Sequence, residues 1–164
     1  MTLGKGADII TYKIIRCYLR KGEYIMTKKE ALEKIGFIVT TTSGGSMRPL
    51  FRHKRDNAVI VRPQCEPKKN DVALFIFKDE YVLHRIIKVK DDYYITRGDN
   101  CAHTETVLKS EVIGVLESFT RNGRSYNCKS SFSYRLYCRL WAFLTPFRIA
   151  FYKIRDKIVY LMKR

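Results

Sequence analysis

The sequence predicts a mainly β protein: a small, coiled antiparallel sheet or partial barrel, with a short helix before it and a basic amphipathic helical arm after it. Between residues 37 and 119, short segments rich in β-branched and aromatic residues alternate with turn residues. Beyond residue 133 the apolar residues recur at helical spacing. A length of 164 residues with 46% hydrophobic content suffices for one packed core. We divide the chain into a basic amphipathic arm (1–26), a β domain (27–132) and a helical arm (133–164).

The β domain is predicted to begin with a helix over residues 28–35. Thr27 and Glu30 have the spacing of a capping box, and Gly36 suits the left-handed position that ends a helix. Six strands are predicted to follow, at residues 37–42, 57–61, 71–77, 81–89, 93–96 and 112–119. The turn between Phe77 and Tyr81 is predicted to join two of them into a hairpin.

The charge lies mainly at the two ends of the chain. The net charge is +16, of which residues 1–29 carry +5, residues 30–132 carry +4 and residues 133–164 carry +7. Basic arms of this kind indicate an anionic partner, either a membrane surface or a nucleic acid. The longest uncharged stretch of the apolar C-terminal part covers residues 140–147, and a membrane span needs about 20 residues.

The five cysteines form no Cys-x-x-Cys pair and their number is odd, which favours reduced thiols over a disulfide framework. No secretory signal peptide is predicted, because charged residues such as Asp8 interrupt the N-terminal segment. These features together predict a protein in the cytoplasm, peripherally associated with the inner face of the membrane.

The C-terminal arm has an apolar stripe at helical spacing, formed by Leu136, Leu140, Leu144, Phe147, Phe151, Ile154, Ile158 and Leu161. Pro146 is predicted to kink or divide this helix. Two interpretations remain open: the helix packs on the sheet, or it lies on an anionic bilayer. Lys and Arg around Trp141, Phe143 and Phe147 favour the second.

The segment from Ser43 to Pro49 is the first candidate for chemistry. Gly44 and Gly45 permit a sharp turn and leave space beside the hydroxyl of Ser46, which suits a nucleophile, although most Gly-Gly-Ser turns have only a geometric role. His84 lies later, inside a predicted strand. A serine, a histidine and a carboxylate in chain order can supply a nucleophile, a base and a group that orients the base.

These motifs, in their order and approximate spacing, resemble the type I signal peptidase family over residues 40–116. The matching segments are Gly45-Ser46-Met47-Arg48-Pro49, Asp71-Val72, His84-Arg85-Ile86, Gly98-Asp99-Asn100 and Ile113-Gly114. The segment from Ser43 to Met47 is also similar to the Ser-Gly-x-Ser-Met pattern of the related SOS-repressor-type peptidase domain.

The resemblance implies a serine endopeptidase that cleaves an extended signal or leader peptide. Ser46 would be the nucleophile. His84 would be the base, as in the endoplasmic-reticulum and archaeal branch of the family, whereas typical bacterial members have a lysine at this position. The acidic residue of that branch falls by offset on Glu105, and Asp99 is the competing choice.

The resemblance also implies how the substrate is held. A second serine of the family is replaced by Gly44, so the oxyanion would be bound by backbone N–H groups near Gly45 and Ser46, with help from Ser43. The substrate would bind as an added strand, with Met47 among the residues that wall its side-chain pockets. The expected partners are a peptide or preprotein and an anionic membrane surface. Neither a cofactor nor a metal is expected.

Other classes of function remain open. A catalytically inactive, peptide-binding descendant of the fold would keep the same motifs. A nucleic-acid-binding module would explain tyrosines among basic residues, but the β domain lacks a clustered aromatic platform, which argues against it. A metal site at His84, Cys101, His103 and Glu105 matches no standard zinc spacing. The sequence determines neither the substrate nor the oligomeric state.

Overall fold

A computed structural model describes residues 26–162. They form a curled, half-barrel sheet of eight antiparallel strands, preceded by helix α1 (Lys28–Ile35) and followed by helix α2 (Phe132–Met162). The strands are β1 (Phe37–Thr41), β2 (Asn57–Val61), β3 (Val72–Phe77), β4 (Glu80–Val89), β5 (Tyr93–Arg97), β6 (Glu105–Leu108), β7 (Val112–Arg121) and β8 (Arg124–Asn127). The predicted mainly β fold is confirmed. The predicted arm over residues 1–26 lies, apart from Met26, outside the described residues.

The sheet has the order β1-β2-β7-β3-β4-β5-β6, and β8 extends β7 on a separate branch. A 3-10 turn over Lys109–Glu111 connects β6 to β7. After the edge strand β6, the chain therefore crosses back to the middle of the sheet, where β7 lies between β2 and β3. This return joins the β1–β2 pair to strands β3 to β6 in one curved layer with two faces.

Helix α1 has the predicted bounds and caps. The Glu30 N–H donates to Oγ1 of Thr27 at 3.2 Å, and the Thr27 N–H donates to Oε2 of Glu30 at 2.8 Å. Gly36 ends the helix at φ +86°, in the left-handed region where a glycine avoids the steric cost of a Cβ. The buried side chain of Leu32 packs α1 on the sheet.

All six predicted strands are present, with ends that shift by one or two residues. The predicted hairpin joins β3 to β4, and both of its central residues, Lys78 and Asp79, have positive φ, as in a type I′ turn. Strands β6 and β8 were not predicted. Each has only four residues and little β pattern, and each is held by its pairing with a longer neighbour.

Strand β3 is buried on both faces and separates two core clusters. Val72 and Leu74 belong to the larger cluster, whereas Ala73 and Phe75 belong to the smaller one, because successive side chains of a strand point to opposite faces. The same alternation on β4 sends the neighbouring side chains of His84 and Arg85 to opposite faces of the sheet.

Of the predicted kink or division at Pro146, the division is wrong, because helix α2 runs without interruption through this residue; the kink stays a prediction. A proline disrupts a helix because it removes one hydrogen bond and its ring clashes with the carbonyl four residues earlier. Here that carbonyl belongs to the exposed Ala142 and can be hydrated. No helix among residues 26–162 is long and apolar enough to cross a membrane.

Helix α2 packs on the β domain through a different face from the predicted apolar stripe. Tyr134 and Cys138 are buried in the larger core cluster, and Tyr137 and Trp141 are partly buried beside it. The eight stripe residues named above are all exposed. The docked face is therefore aromatic and polar, and the rest of residues 26–162 leaves the most apolar face of the helix uncovered.

Candidate functional site

A buried histidine and a glutamate form the centre of the site. Nδ1 of His84 lies 3.0 Å from Oε2 of Glu105, and the two side chains are only 8% and 10% exposed. Strand β6 pairs with β5 so that Glu105 lies opposite Thr96, whose hydroxyl donates to the same carboxylate oxygen at 3.3 Å. When Nδ1–H donates to Glu105, Nε2 of His84 is left as an acceptor for another proton.

The other ring nitrogen of His84 lies beside Gly98, which the turn that contains Ser46 also approaches. An ideal Cβ built on Gly98 would lie 3.0 Å from Nε2 of His84 and 2.7 Å from the backbone oxygen of Ser46. The Sγ of Cys101 is 2.8 Å from the same point. Three parts of the chain therefore converge around Gly98, and only a residue without a side chain fits between them.

The Ser46 turn is held by hydrogen bonds to Asn100. The Asn100 N–H donates to the Ser46 carbonyl at 2.6 Å, and its side-chain amide donates to the Gly45 carbonyl at 3.2 Å. On the preceding side, Gly44 has φ +87° and its N–H donates to Nδ1 of His53 at 2.8 Å. Hydrogen bonds to the backbone thus hold the chain on both sides of Ser46.

Ser46 itself is partly buried, and Ser43 is exposed. Within residues 26–162 the Ser46 hydroxyl makes no side-chain hydrogen bond, to His84 or to any other residue. In the same part of the chain, the N–H groups of Gly45 and Ser46 donate to no protein acceptor. These two N–H groups therefore have no hydrogen-bond acceptor among the described residues.

Asp99, the competing candidate, points to the other face of the sheet. Its carboxylate accepts two hydrogen bonds from the Arg85 guanidinium, at 2.8 and 2.7 Å, and one from the Tyr137 hydroxyl at 2.8 Å. Burial alone would lower the pKa of Arg85, but the hydrogen bonds and charge of Asp99 outweigh it and raise that pKa well above its usual value. Of the two carboxylates, the structure brings Glu105 to His84 and Asp99 to Arg85.

Met47 is a core residue, only 6% exposed and packed in the larger cluster. Its role as a wall of a substrate pocket therefore stays a prediction. Phe75 is fully buried and its ring meets that of His84 edge-on, with the centroids 6.2 Å apart. Phe75 thus supports the histidine from the core side.

Residues of α2 hold the Asp99-Asn100 turn, although no sequence motif had singled them out. The Trp141 Nε1–H donates to the Asp99 carbonyl at 3.1 Å, and the Arg148 guanidinium donates to the same oxygen. The Tyr152 hydroxyl donates to Oδ1 of Asn100 at 2.8 Å. The Gly-Asp-Asn motif marked the turn, but no local pattern could connect it to a helix some forty or more positions later.

Among residues 26–162, no group of three or more His, Cys, Asp or Glu side chains is arranged to hold a metal ion. A wide groove of about 1550 Å³ lies along β1, β2 and the loop that follows β2, and its lining includes Val39, Val61 and Pro67. Neither Ser46, His84 nor Glu105 lines it, so this groove is separate from the candidate site.

Replacing Gly98 with alanine is expected to destabilise the protein by about 1–3 kcal/mol, because the new Cβ would overlap the Ser46 carbonyl and the Cys101 sulfur. The free energy of unfolding in urea measures the effect. Gly45→Ala is the matched control, since a Cβ there meets nothing within 4 Å and the φ of Gly45 is not positive. Equal stabilities of the two variants would contradict the close approach at Gly98.

The described cysteines are expected to differ strongly in reactivity. Burial raises the pKa of the Cys128 thiol to about 12, whereas Cys65 is exposed. At pH 8 iodoacetamide should therefore modify Cys65 at least about tenfold faster than Cys128, because the thiolate is the reacting form. Peptide mapping by mass spectrometry gives the two rates. Urea should equalise them, and equal rates in the native protein would contradict the burial of Cys128.

No protein-family model matches this chain, and no curated protein matches it significantly. The resemblance to type I signal peptidases therefore rests on the motifs quoted above, together with the chemistry that their arrangement allows.

Proposed function

We propose that the chain is a serine endopeptidase of signal-peptidase type, which cleaves an extended signal or leader peptide. The observation that carries this proposal is the buried His84–Glu105 pair, at 3.0 Å, with the second ring nitrogen of His84 beside Gly98, which the Ser46 turn also approaches. A base whose orientation is set by a carboxylate, beside a serine on a constrained turn, is the arrangement that nucleophilic acyl transfer requires.

In the proposed mechanism, the Ser46 hydroxyl oxygen attacks the scissile carbonyl carbon while Nε2 of His84 takes its proton. The N–H groups of Gly45 and Ser46 bind the resulting oxyanion, and each such donor contributes roughly 3 kcal/mol to the transition state. His84 then gives the proton to the leaving amine, which releases the first product and leaves an acyl ester on Ser46. His84 next takes a proton from a water molecule, whose oxygen attacks the ester carbonyl carbon. The proton then passes from His84 to the Ser46 oxygen as the acyl–oxygen bond breaks, which releases the second product and regenerates the serine.

Glu105 would act on the histidine and not on the substrate. Its carboxylate accepts the Nδ1 proton, which selects the tautomer with a free Nε2, and it stabilises the imidazolium that forms during each proton transfer. Thr96 and the half-barrel wall around Glu105 hold the carboxylate in place.

One observation favours a second candidate, a catalytically inactive peptide-binding protein. The Ser46 hydroxyl makes no hydrogen bond to His84 among the described residues. In enzymes without substrate such a bond is often long and tightens only in the complex, so its absence does not by itself exclude the peptidase. Cleavage assays separate them, because the inactive protein would bind peptides without cutting them.

The proposed location is the inner face of the membrane, with peripheral attachment. Support comes from the net charge of +16, concentrated in the terminal segments, since the cytoplasmic leaflet is the anionic side of most cell membranes. The corresponding substrate would be a leader or signal segment that reaches this surface.

The proposed activity is tested by incubating a peptide library with the wild-type protein and with Ser46→Ala, with and without anionic vesicles, and by identifying products by mass spectrometry. Cleavage by the wild type alone would support the proposal and would show which side chains are read around the cut. Peptide binding without cleavage, in both conditions, would overturn it in favour of the inactive binding protein.

A further inference from the structure

Helix α2 presents a continuous apolar stripe to solvent. The stripe recurs every three or four residues and is broad, since the side chains of Phe143 and Phe147 are 71% and 67% exposed. Its described members are Phe132, Leu136, Leu140, Phe143, Leu144, Phe147, Phe151, Ile154, Ile158 and Leu161. Exposed apolar patches of this extent mark interaction surfaces.

The opposite face of α2 is fixed, so the stripe cannot turn inward. Tyr134 and Cys138 are buried in the core, and Trp141 and Tyr152 hydrogen-bond to the Asp99-Asn100 turn. The Arg148 guanidinium lies 3.6 Å from the centre of the Trp141 ring. These contacts recur along α2 from Tyr134 to Tyr152 and hold its apolar side outward.

The charge around the stripe selects the kind of partner. Residues 133–164 carry a net charge of +7, and the exposed Arg135, Arg139 and Lys157 lie on α2 beside the stripe. A second copy of this chain carries a net charge of +16, and the N-terminal segment 1–29 carries +5. Both would therefore be repelled by the positive charge beside the stripe. An anionic lipid surface supplies the opposite charge and an apolar layer together, whereas nucleic acid supplies only the charge.

We propose that the exposed stripe of α2 lies in the interface of an anionic lipid bilayer, with the helix parallel to the membrane plane. Leucine, isoleucine and phenylalanine side chains enter the boundary between headgroups and acyl chains, while the basic side chains contact lipid phosphates. At 31 residues, the helix offers a contact line of roughly 45 Å. The stripe would be the surface through which the membrane association proposed above takes place. This proposal does not depend on peptidase activity.

The test is co-sedimentation of the full chain with vesicles of mixed phosphatidylglycerol and phosphatidylcholine, and with vesicles of phosphatidylcholine alone. Phe143→Ser removes one exposed member of the stripe. Ala142→Ser, at the adjacent exposed position off the stripe, is the matched control. Because neither side chain is buried, both variants are expected to fold, and circular dichroism checks this.

We expect binding to the anionic vesicles that weakens with added salt, little binding to the neutral ones, an affinity about tenfold lower for Phe143→Ser, and no change for Ala142→Ser. The proposal is overturned if the anionic vesicles are not bound, or if Phe143→Ser binds them as well as the wild type. Lipid-free dimerisation that Phe143→Ser abolishes would instead assign the stripe to a second copy. Vesicle binding without peptide cleavage would support the proposal that the stripe binds the bilayer and would refute only the peptidase proposal.

Discussion

Replacing Ser46 with alanine is expected to lower kcat for peptide cleavage by about ten-thousandfold or more, with little change in KM or in the free energy of unfolding. The proposed chemistry begins with attack by the Ser46 oxygen, and loss of the nucleophile in a serine peptidase leaves only the contribution of the oxyanion site and of substrate binding. Stability should be spared, because the hydroxyl makes no hydrogen bond within the described part of the chain.

Ser110→Ala is the matched control for this measurement, since Ser110 is exposed on the 3-10 turn before β7. Its kcat and stability should equal those of the wild type. Rates should be measured on one peptide from the library, at enzyme concentrations that detect a single turnover. If Ser46→Ala and Ser110→Ala cleave equally fast, Ser46 is a structural turn residue and the proposed mechanism is wrong.

The second large effect is a contrast between two carboxylates. Glu105→Gln is expected to lower kcat by about a thousandfold to ten-thousandfold, because an amide can donate to Nδ1 of His84 and so favour the tautomer whose Nε2 already carries a proton. Asp99→Asn is expected to lower the free energy of unfolding by about 3 kcal/mol, because it leaves the buried Arg85 guanidinium without its charge partner.

Both quantities should be measured on both variants, since each variant is the control for the other. The two substitutions make the same chemical change, from carboxylate to amide, at sites on opposite faces of the sheet. A variant Glu105→Gln that loses stability but keeps kcat would make the His84–Glu105 pair structural. A stable Asp99→Asn protein with a greatly reduced kcat would make Asp99 the group that orients the base.

Much of the fold could be predicted because its signals are local. The capping box of Thr27 and Glu30 and the left-handed Gly36 define α1 within ten residues, and the hairpin at Lys78 and Asp79 needs only the strands beside it. Strand β6 was not predicted, because its four residues have little β pattern of their own and form a strand through their pairing with β5. That omission mattered, because β6 carries Glu105.

The candidate site, like the fold, could be predicted only in part from the sequence. Sequence motifs indicate Ser46, His84 and the Gly98-Asp99-Asn100 turn, but they leave the choice between Glu105 and Asp99 open. Strand alternation explains why: His84 and Arg85 are neighbours in the chain, yet they face opposite sides of the sheet, where His84 meets Glu105 and Arg85 meets Asp99.

The sequence by itself determined the mainly β class, most of the strands, the first helix with its caps, and the amphipathic character of the C-terminal arm. These follow from periodicity and from residues that act within a few positions of each other. Only the tertiary structure decided which carboxylate meets His84 and which face of α2 is covered. Both depend on strand register and on helix docking between residues far apart in the chain. Tyr137 and Trp141 hydrogen-bond to Asp99, and this docking leaves the apolar stripe on the exposed side of α2.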